Sequence, residues 1–524
     1  MASALVGFLL HAALFLFIIV IAVRGSMAVA RHPTYQSMLR FGVETQLLQD
    51  RNELSQYGMI GILRRQLRTV SSMGLSFNTM AFLGTAVIVY GPSIGTGGLS
   101  VIGYGLPVVA LLSIALGATL AELASETPTA GGVYHAAYAS GGERAASATG
   151  LLLLMGHIAK LTLLAGAFAY LANDYLAARF SFTATSVSYW ICYLLVTTSL
   201  ATVQQVASRS LRWLLSAGVS LQVLAASAML ASLVFLFWPG EYSPAILYQW
   251  NDAALTGNVT MSTFLTGSLL LLLLFLGMDG SGLGAEECIE PRVHVPWAIF
   301  LSVAYSSLLV GVLLFFLSLL WNPGGDMPLD QGFGGSEVFL DTVGSERGRG
   351  WWLPLILVAL WLSCYSSLTA SARALFSMAR DGIFPIGQKL AIVSLRSALP
   401  LYAIWACAAT VIIVMAVLQS LYERAVLLPL TSIATVCLLG AYGIALSCRA
   451  WRRQGAKGND GPWHLGSWSG PVRHIAICWI AATVLLASIL LDPIGPATGI
   501  LLIAVSWLTA RRLRMQLRRK RRGK

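Results

Sequence analysis

"LLLLLLFLGMDGSGLGAEECIEP", residues 269–291, opens as an uninterrupted membrane-spanning helix and then abandons that pattern. Gly277, Gly280, Gly282 and Gly284 fall within eight residues, with Asp279 among them. Each glycine inside a helix costs about 1 kcal/mol relative to alanine. An acid at the centre of a membrane helix costs about 2.5–3.5 kcal/mol on insertion scales. A stretch that combines the two is read as a deliberate interruption of a helix, with an acid placed at the interruption.

The surrounding chain sets the solvent. It has 524 residues, of which 57% are hydrophobic and only 11% charged, with a mean hydropathy of +0.74. A soluble domain carries roughly 25% charged residues. Repeated apolar runs of about 20 residues select membrane helices over the ten-residue alternation of a β-barrel. Twelve spans are expected near 72–92, 99–121, 146–172, 187–204, 213–238, 262–285, 296–321, 352–378, 400–419, 426–447, 474–491 and 495–510. The chain is thus an all-α integral membrane protein whose core, residues 71–510, is a bundle of twelve helices in a lipid bilayer.

The formal charge of +12 reflects topology and does not point to nucleic acid. Counting by alternate loops assigns 29 of the 34 Lys and Arg to one side, four to the other and Lys160 to a span. This positive-inside asymmetry makes both the segment 24–70 and the basic tail 511–524 cytoplasmic. Residues 1–23 contain one further apolar stretch, Leu5 to Val23, followed by Arg24. A signal-anchor with its N-terminus outside satisfies the charge rule and adds a thirteenth span; a cleaved signal does not satisfy it. None of the seven cysteines falls in an outside loop, so no disulfide framework is implied. Asn258-Val259-Thr260 is a glycosylation sequon on the expected outer side.

A second interruption corresponds to the first. The opening span of the core reads "MGLSFNTMAFLGTAVIVYGPSIG", residues 73–95, with Gly84-Thr85-Ala86 near its middle. Breaks in the first span of each of two five-span halves point to a 5+5 inverted repeat with discontinuous helices 1 and 6. Unwound backbone in a membrane is tolerated only where it lines protein or a cavity. Freed N–H groups can then hold a carboxylate, and freed carbonyls an ammonium or a cation.

Four motifs carry a family resemblance. "LAELASETPTAGGVYHAAY" (120–138), "GMDGSGLGAEE" (277–287), "LTASARALFSMARDGIFP" (368–385) and "GPWHLGSWSGPV" (461–472) occur in order and at ordinary spacing. Together they resemble the amino acid/choline transporter branch of the amino acid–polyamine–organocation superfamily, the group that includes amino acid and γ-aminobutyrate permeases. The chain departs from that pattern at four places. Met278 replaces an aromatic residue, Leu151 and Leu153 replace polar and aromatic ones, Lys160 replaces a small or apolar one, and residues 1–23 have no counterpart. The resemblance implies secondary active transport by alternating access, probably the least specific part of the inference being the solute; an amino acid, γ-aminobutyrate or a choline-like compound all fit. It also implies the plasma membrane.

The site expected from these readings joins Gly84, Thr85 and Ala86 to Met278, Asp279, Gly280 and Ser281, flanked by His157 and Lys160 of the third span and Tyr365 and Ser366 of the eighth. Asp279 has three roles open to it: capping freed N–H groups, contacting a cationic solute, or carrying a proton. Lys160 stands about fifteen residues, or about 22 Å, into its span, too deep to snorkel readily from a core about 30 Å thick. Glu122, Glu126, Glu286, Glu287 and Arg380 gather at expected inner helix ends, as solvated charges or, by the resemblance, as an inner gate. Energy must come from a proton gradient or an exchanged solute, because no Walker A pattern occurs. No cofactor or metal is expected. A nutrient-sensing receptor on the same fold and an integral membrane enzyme are the rival classes. The first is disfavoured by the short C-terminal tail, the second by the lack of histidines paired at ligand spacing within a span.

Overall fold

The computed structural model describes residues 2–31, 63, 65–207, 210–237, 243–250, 259–321, 333–343, 346–384, 387–394, 398–453 and 461–522. The sequon residue Asn258 and most of the segment 24–70 lie outside them. The described residues form a helical bundle with no β-strand among them; a single bridge pairs Leu67 with Cys288.

The twelve core spans follow in order. Span 1 is Thr69–Met80 and Phe82–Gly97, span 2 ends in Leu106–Glu126, span 3 is Val133–Phe180, span 4 Ser186–Val206 and span 5 Leu211–Phe237. Span 6 is Met261–Leu272 with a short continuation at Gly280–Leu283, and span 7 is Pro291–Leu320. Spans 8 to 12 are Glu346–Arg380, Leu401–Tyr422, Leu427–Arg453, Ser469–Leu490 and Ile494–Arg522. Span 3 begins earlier than its apolar run. Val133 to Gly141 forms a leading segment joined to the rest through Gly142, whose φ of 73° and ψ of −166° are non-helical.

Burial separates the spans into two shells. Span 1 is wholly buried and spans 2, 3 and 10 largely so, whereas spans 4, 5, 9 and 11 leave most of their apolar surface outside the bundle. Polar residues on buried spans are therefore turned toward one another and away from hydrocarbon. Small residues set the close approaches. A Cβ at Gly74 would lie 2.6 Å from the Leu215 carbonyl oxygen of span 5, and one at Gly156 would lie 2.6 Å from Leu438 of span 10. Such contacts let backbones pack where water-driven association is absent.

Both expected interruptions exist, one of them displaced. Span 1 breaks at Ala81, in the left-handed region at φ 54° and ψ 43°, and not at Gly84-Thr85-Ala86. Those three residues lie in the first turns of the second half-helix. Gly84 serves packing, since a Cβ there would stand 2.4 Å from Leu360 of span 8. In span 6 regular helix stops at Leu272, Leu273 to Asp279 runs through turns, and helix resumes at Gly280 for one turn.

The N-terminal apolar stretch is a 30-residue helix, Ala2–Arg31, longer than the 1–23 expected. Leu14, Ile21 and Val29 are buried along one stripe. The helix rests on the core through close contacts of Gly7 with Tyr248 and Gly25 with Trp463, and through the Arg24 guanidinium 5.4 Å above the Trp468 ring.

Gly277 is the position where glycine is required twice over. Its φ is 86°, and a Cβ there would meet the Thr79 methyl at 2.8 Å. A left-handed conformation costs an L-residue about 1–2 kcal/mol. Gly277→Ala should therefore lower unfolding stability by at least that amount in detergent melts. Gly311→Ala, in span 7 with nothing within 4 Å of the added methyl, should be neutral or stabilising. Equal effects of the two would show that the turn is not strained.

Candidate functional site

The two breaks face each other, and their loose backbone is held by side chains. At the first, the carbonyl of Met80 has lost its helical partner. At the second, the carbonyls of Leu273 and Leu276 have. One residue receives all three: Lys160 Nζ donates to Met80 O at 2.9 Å, Leu273 O at 2.9 Å and Leu276 O at 2.5 Å. Thr85 Oγ1 adds a donor to Met80 O at 3.2 Å. Ser76 Oγ lies 2.5 Å from the Met278 carbonyl and accepts the Ser281 N–H at 2.9 Å, while Ser281 Oγ donates to Ser72 O at 2.6 Å. Every one of these atoms sits where water cannot replace a missing partner.

Asp279 is 2% exposed, and its carboxylate does not cap the break. Its Oδ2 lies 3.2 Å from His157 Nε2 of span 3, and its Oδ1 accepts the Tyr442 hydroxyl of span 10. His157 is its one ion-pair partner among the described residues, charged only when protonated. The acid therefore ties the sixth span to the third and tenth. The freed N–H groups look elsewhere, and Ser76 serves that of Ser281.

The remaining expected residues are distributed around this centre. A Cβ at Gly280 would come within 2.6 Å of the Leu75 carbonyl, so the two broken spans touch backbone to backbone there. Met278 is buried, its sulfur turned toward Gly117 of span 2. Ala86 is buried in the second half of span 1 and makes no polar contact of its own. Tyr365 stacks on Trp361 with ring centroids 5.8 Å apart, and its buried hydroxyl has no hydrogen-bond partner. The Ser366 hydroxyl turns back to Leu362 O of its own helix at 3.1 Å. The site thus gathers spans 1, 3, 6 and 10 directly, with Ser366 turned out of it.

Sequence reasoning missed Tyr442 and Ser76. Neither carried a local signal, since a tyrosine or serine in a membrane span is unremarkable until its partner is known. It also assigned Arg373 to the inner loops, whereas Arg373 lies inside span 8 and is 1% exposed. A mid-span arginine was a legible signal of a buried partner.

At the end of the bundle that carries residues 65–68, the expected acidic cluster is paired, and most of it is not solvated. Glu287 accepts Arg373 Nε at 2.7 Å, both side chains nearly inaccessible. Glu286 takes Arg380 through two hydrogen bonds, at 2.9 and 3.0 Å, and the Ala130 N–H at 3.1 Å. Arg449 bridges Glu122 at 3.3 Å and Glu126 more closely. Glu122 further accepts the Leu465 N–H and the Ser469 hydroxyl, each at 2.7 Å. In the adjoining loop Asp381 accepts from Tyr134 and lies 2.9 Å from His135. Burial raises the Asp381 carboxyl, but these hydrogen bonds, with the charges of His135 and Arg380, hold it below the ordinary carboxylate value. Residues 65–67 lie across this layer. Gln66 and Leu67 N–H both donate to Glu287 O, Ile289 N–H donates to Leu67 O, and Arg65 donates to Cys288 O.

Removing one member of a buried ion pair leaves an uncompensated charge and costs about 3–5 kcal/mol. Arg373→Met should lose that much stability in denaturation of the purified protein. Arg380→Met should lose less, because Arg380 is 17% exposed and Glu286 keeps the Ala130 N–H. Adding Glu287→Gln to Arg373→Met should recover most of the loss, and a double variant as unstable as the single would show that the pair is not the cause.

Comparison with known proteins bears on the whole of this architecture. The chain is 24% identical over 495 residues to the amino-acid permease BAT1 homolog of Oryza sativa subsp. japonica, covering 86% of this chain and 92% of that one. It is 23% identical over 474 residues to the amino-acid permease BAT1 of Arabidopsis thaliana, covering 83% and 87%. It is 25% identical over 386 residues to the GABA-specific permease of Saccharomyces cerevisiae, covering 68% and 64%. The amino acid permease profile matches residues 67–510, which hold both breaks, the paired acidic layer and all twelve core spans up to the basic tail, and the chain belongs to the amino acid permease family.

Proposed function

We propose that the chain moves a small amine-bearing solute, an amino acid, γ-aminobutyrate or a choline-like compound, across the plasma membrane by secondary active transport. Membership of a permease family makes it a transporter and not an enzyme. One observation supports the finer reading. Asp279 places a nearly inaccessible carboxylate at the break of span 6, held by an imidazole and a phenol, with no lysine or arginine bonded to it. A buried carboxylate left with so little positive charge around it can receive a solute's ammonium. Trp361 and Tyr365 flank it from span 8 as the apolar wall, and an exchanged solute or a proton supplies the driving force.

In this reading the two five-span halves form an inverted repeat, and the broken helices rock against the remaining spans. The ion pairs of Glu122, Glu126, Glu286, Glu287 and Arg380 form the inner gate and separate when the site opens inward. The N-terminal helix is a thirteenth span, residues 24–70 and 511–524 are cytoplasmic, and Asn258 is available to glycosylation outside. The charge asymmetry of the loops supports this orientation.

Two experiments test the proposal. In proteoliposomes, Asp279→Asn should lower apparent affinity for the amine solute more than about tenfold, the effect of losing a buried charge partner worth about 2–5 kcal/mol. Lost accumulation with preserved exchange would assign Asp279 to proton transfer. Unchanged affinity and accumulation would leave it a structural tie between spans 3, 6 and 10. For topology, a cysteine introduced at Ser55 should resist impermeant thiol reagents in intact cells, and labelling from outside would reverse the orientation.

A further inference from the structure

The transport reading leaves Lys160 unused, although it is the most thoroughly bonded charge in the bundle. An ammonium has three protons and no acceptor. All three are taken by main-chain carbonyls, at Met80, Leu273 and Leu276, with the side chain wholly buried. The acceptors come from both broken spans: Met80 ends the first half of span 1, and Leu273 and Leu276 lie in the turns where span 6 stops. Carbonyls freed at such ends are the groups that coordinate a solute's ammonium or a monovalent cation. Here that coordination is complete without any added ligand, and Asp279 bonds to His157 and Tyr442 and not to the lysine.

The geometry points to Lys160 as a resident cation that fills, from within the chain, the seat between the two broken helices, so that no metal ion or solute ammonium binds those carbonyls. The solute's positive charge is then left to Asp279 alone. That last clause rests on the transport reading above; the occupied seat does not. A seat filled by a covalently attached ammonium also makes a definite chemical promise. Shortening lysine to alanine removes three carbons and the nitrogen, which is the shape of propylamine. The emptied seat should accept propylammonium or, without its apolar stem, sodium.

The test uses the full chain in detergent, without solute, at constant ionic strength maintained with N-methylglucamine. Wild type should melt at the same temperature when sodium, potassium or propylammonium replaces that ion. Lys160→Ala should melt lower, and propylammonium or sodium should raise its melting temperature saturably, as binding to the folded state requires. An alanine variant indifferent to all three cations would reduce Lys160 to a structural staple and overturn the proposal. A saturable rise in wild type as large as in the variant would overturn it equally, and this arm decides the matter even where the variant fails to fold. In proteoliposomes the variant should lose more than about tenfold of its uptake and regain it with the cation that restores its melting temperature. If wild type carries no amine solute while the melting results hold, the transport reading falls and the resident cation stands.

Discussion

Everything at the centre of this bundle depends on one requirement: a backbone that leaves its helix inside hydrocarbon must find other partners for its polar groups. Two helices break at facing positions, and the orphaned carbonyls of both converge on one ammonium. On the donor side a pair of serines, Ser76 and Ser281, performs the corresponding task. The breaks are stable because they are paired across the bundle. Neither span 1 nor span 6 could hold its irregular segment alone, and Gly280 against the Leu75 carbonyl shows how close the two must come for the exchange of partners to work.

Charge is distributed on the same logic at two depths. At the middle, one lysine and one acid lie near each other yet each is satisfied separately, the lysine by backbone and the acid by His157 and Tyr442. At the end bearing residues 65–68, the acids meet arginines directly, in pairs whose accessibility rises from Glu287–Arg373 to Glu126–Arg449. A buried pair is costly to part and an exposed one is cheap. That gradient means the layer resists separation most strongly under span 6 and least at its rim. The backbone bonds of residues 66 and 67 to Glu287 and Ile289 reinforce the same place.

The membrane class, the twelve spans and the existence of two breaks were legible in the sequence because hydropathy and glycine clustering are local properties. The position of the first break was not. Ala81 adopts a left-handed conformation that alanine does not advertise, whereas Gly84, which does advertise it, is needed for contact with Leu360. Lys160 and Asp279 stood out as charges that needed partners, but the partners could not be read. Tyr442 lies 163 residues from Asp279, and the ligands of Lys160 are main-chain carbonyls, which every residue type possesses. Coordination by backbone leaves no trace in side-chain identity. Arg373, by contrast, was visible as a charge inside an apolar span.

The lysine's wiring also bears on how the chain is made. Two of its three ligands lie 113 and 116 residues further along the polypeptide, and only Met80 precedes it. At about 5–20 residues per second of synthesis, the third span waits roughly 6–20 seconds before the sixth has been translated. During that interval a lysine in mid-span carries an insertion penalty of about 2.5–3.5 kcal/mol, set against the leucines around it. The run from Leu151 to Leu154, with Leu161, Leu163 and Leu164, therefore serves biogenesis as well as packing. It holds a charged helix in the bilayer until the segment that will accept the charge has been synthesised.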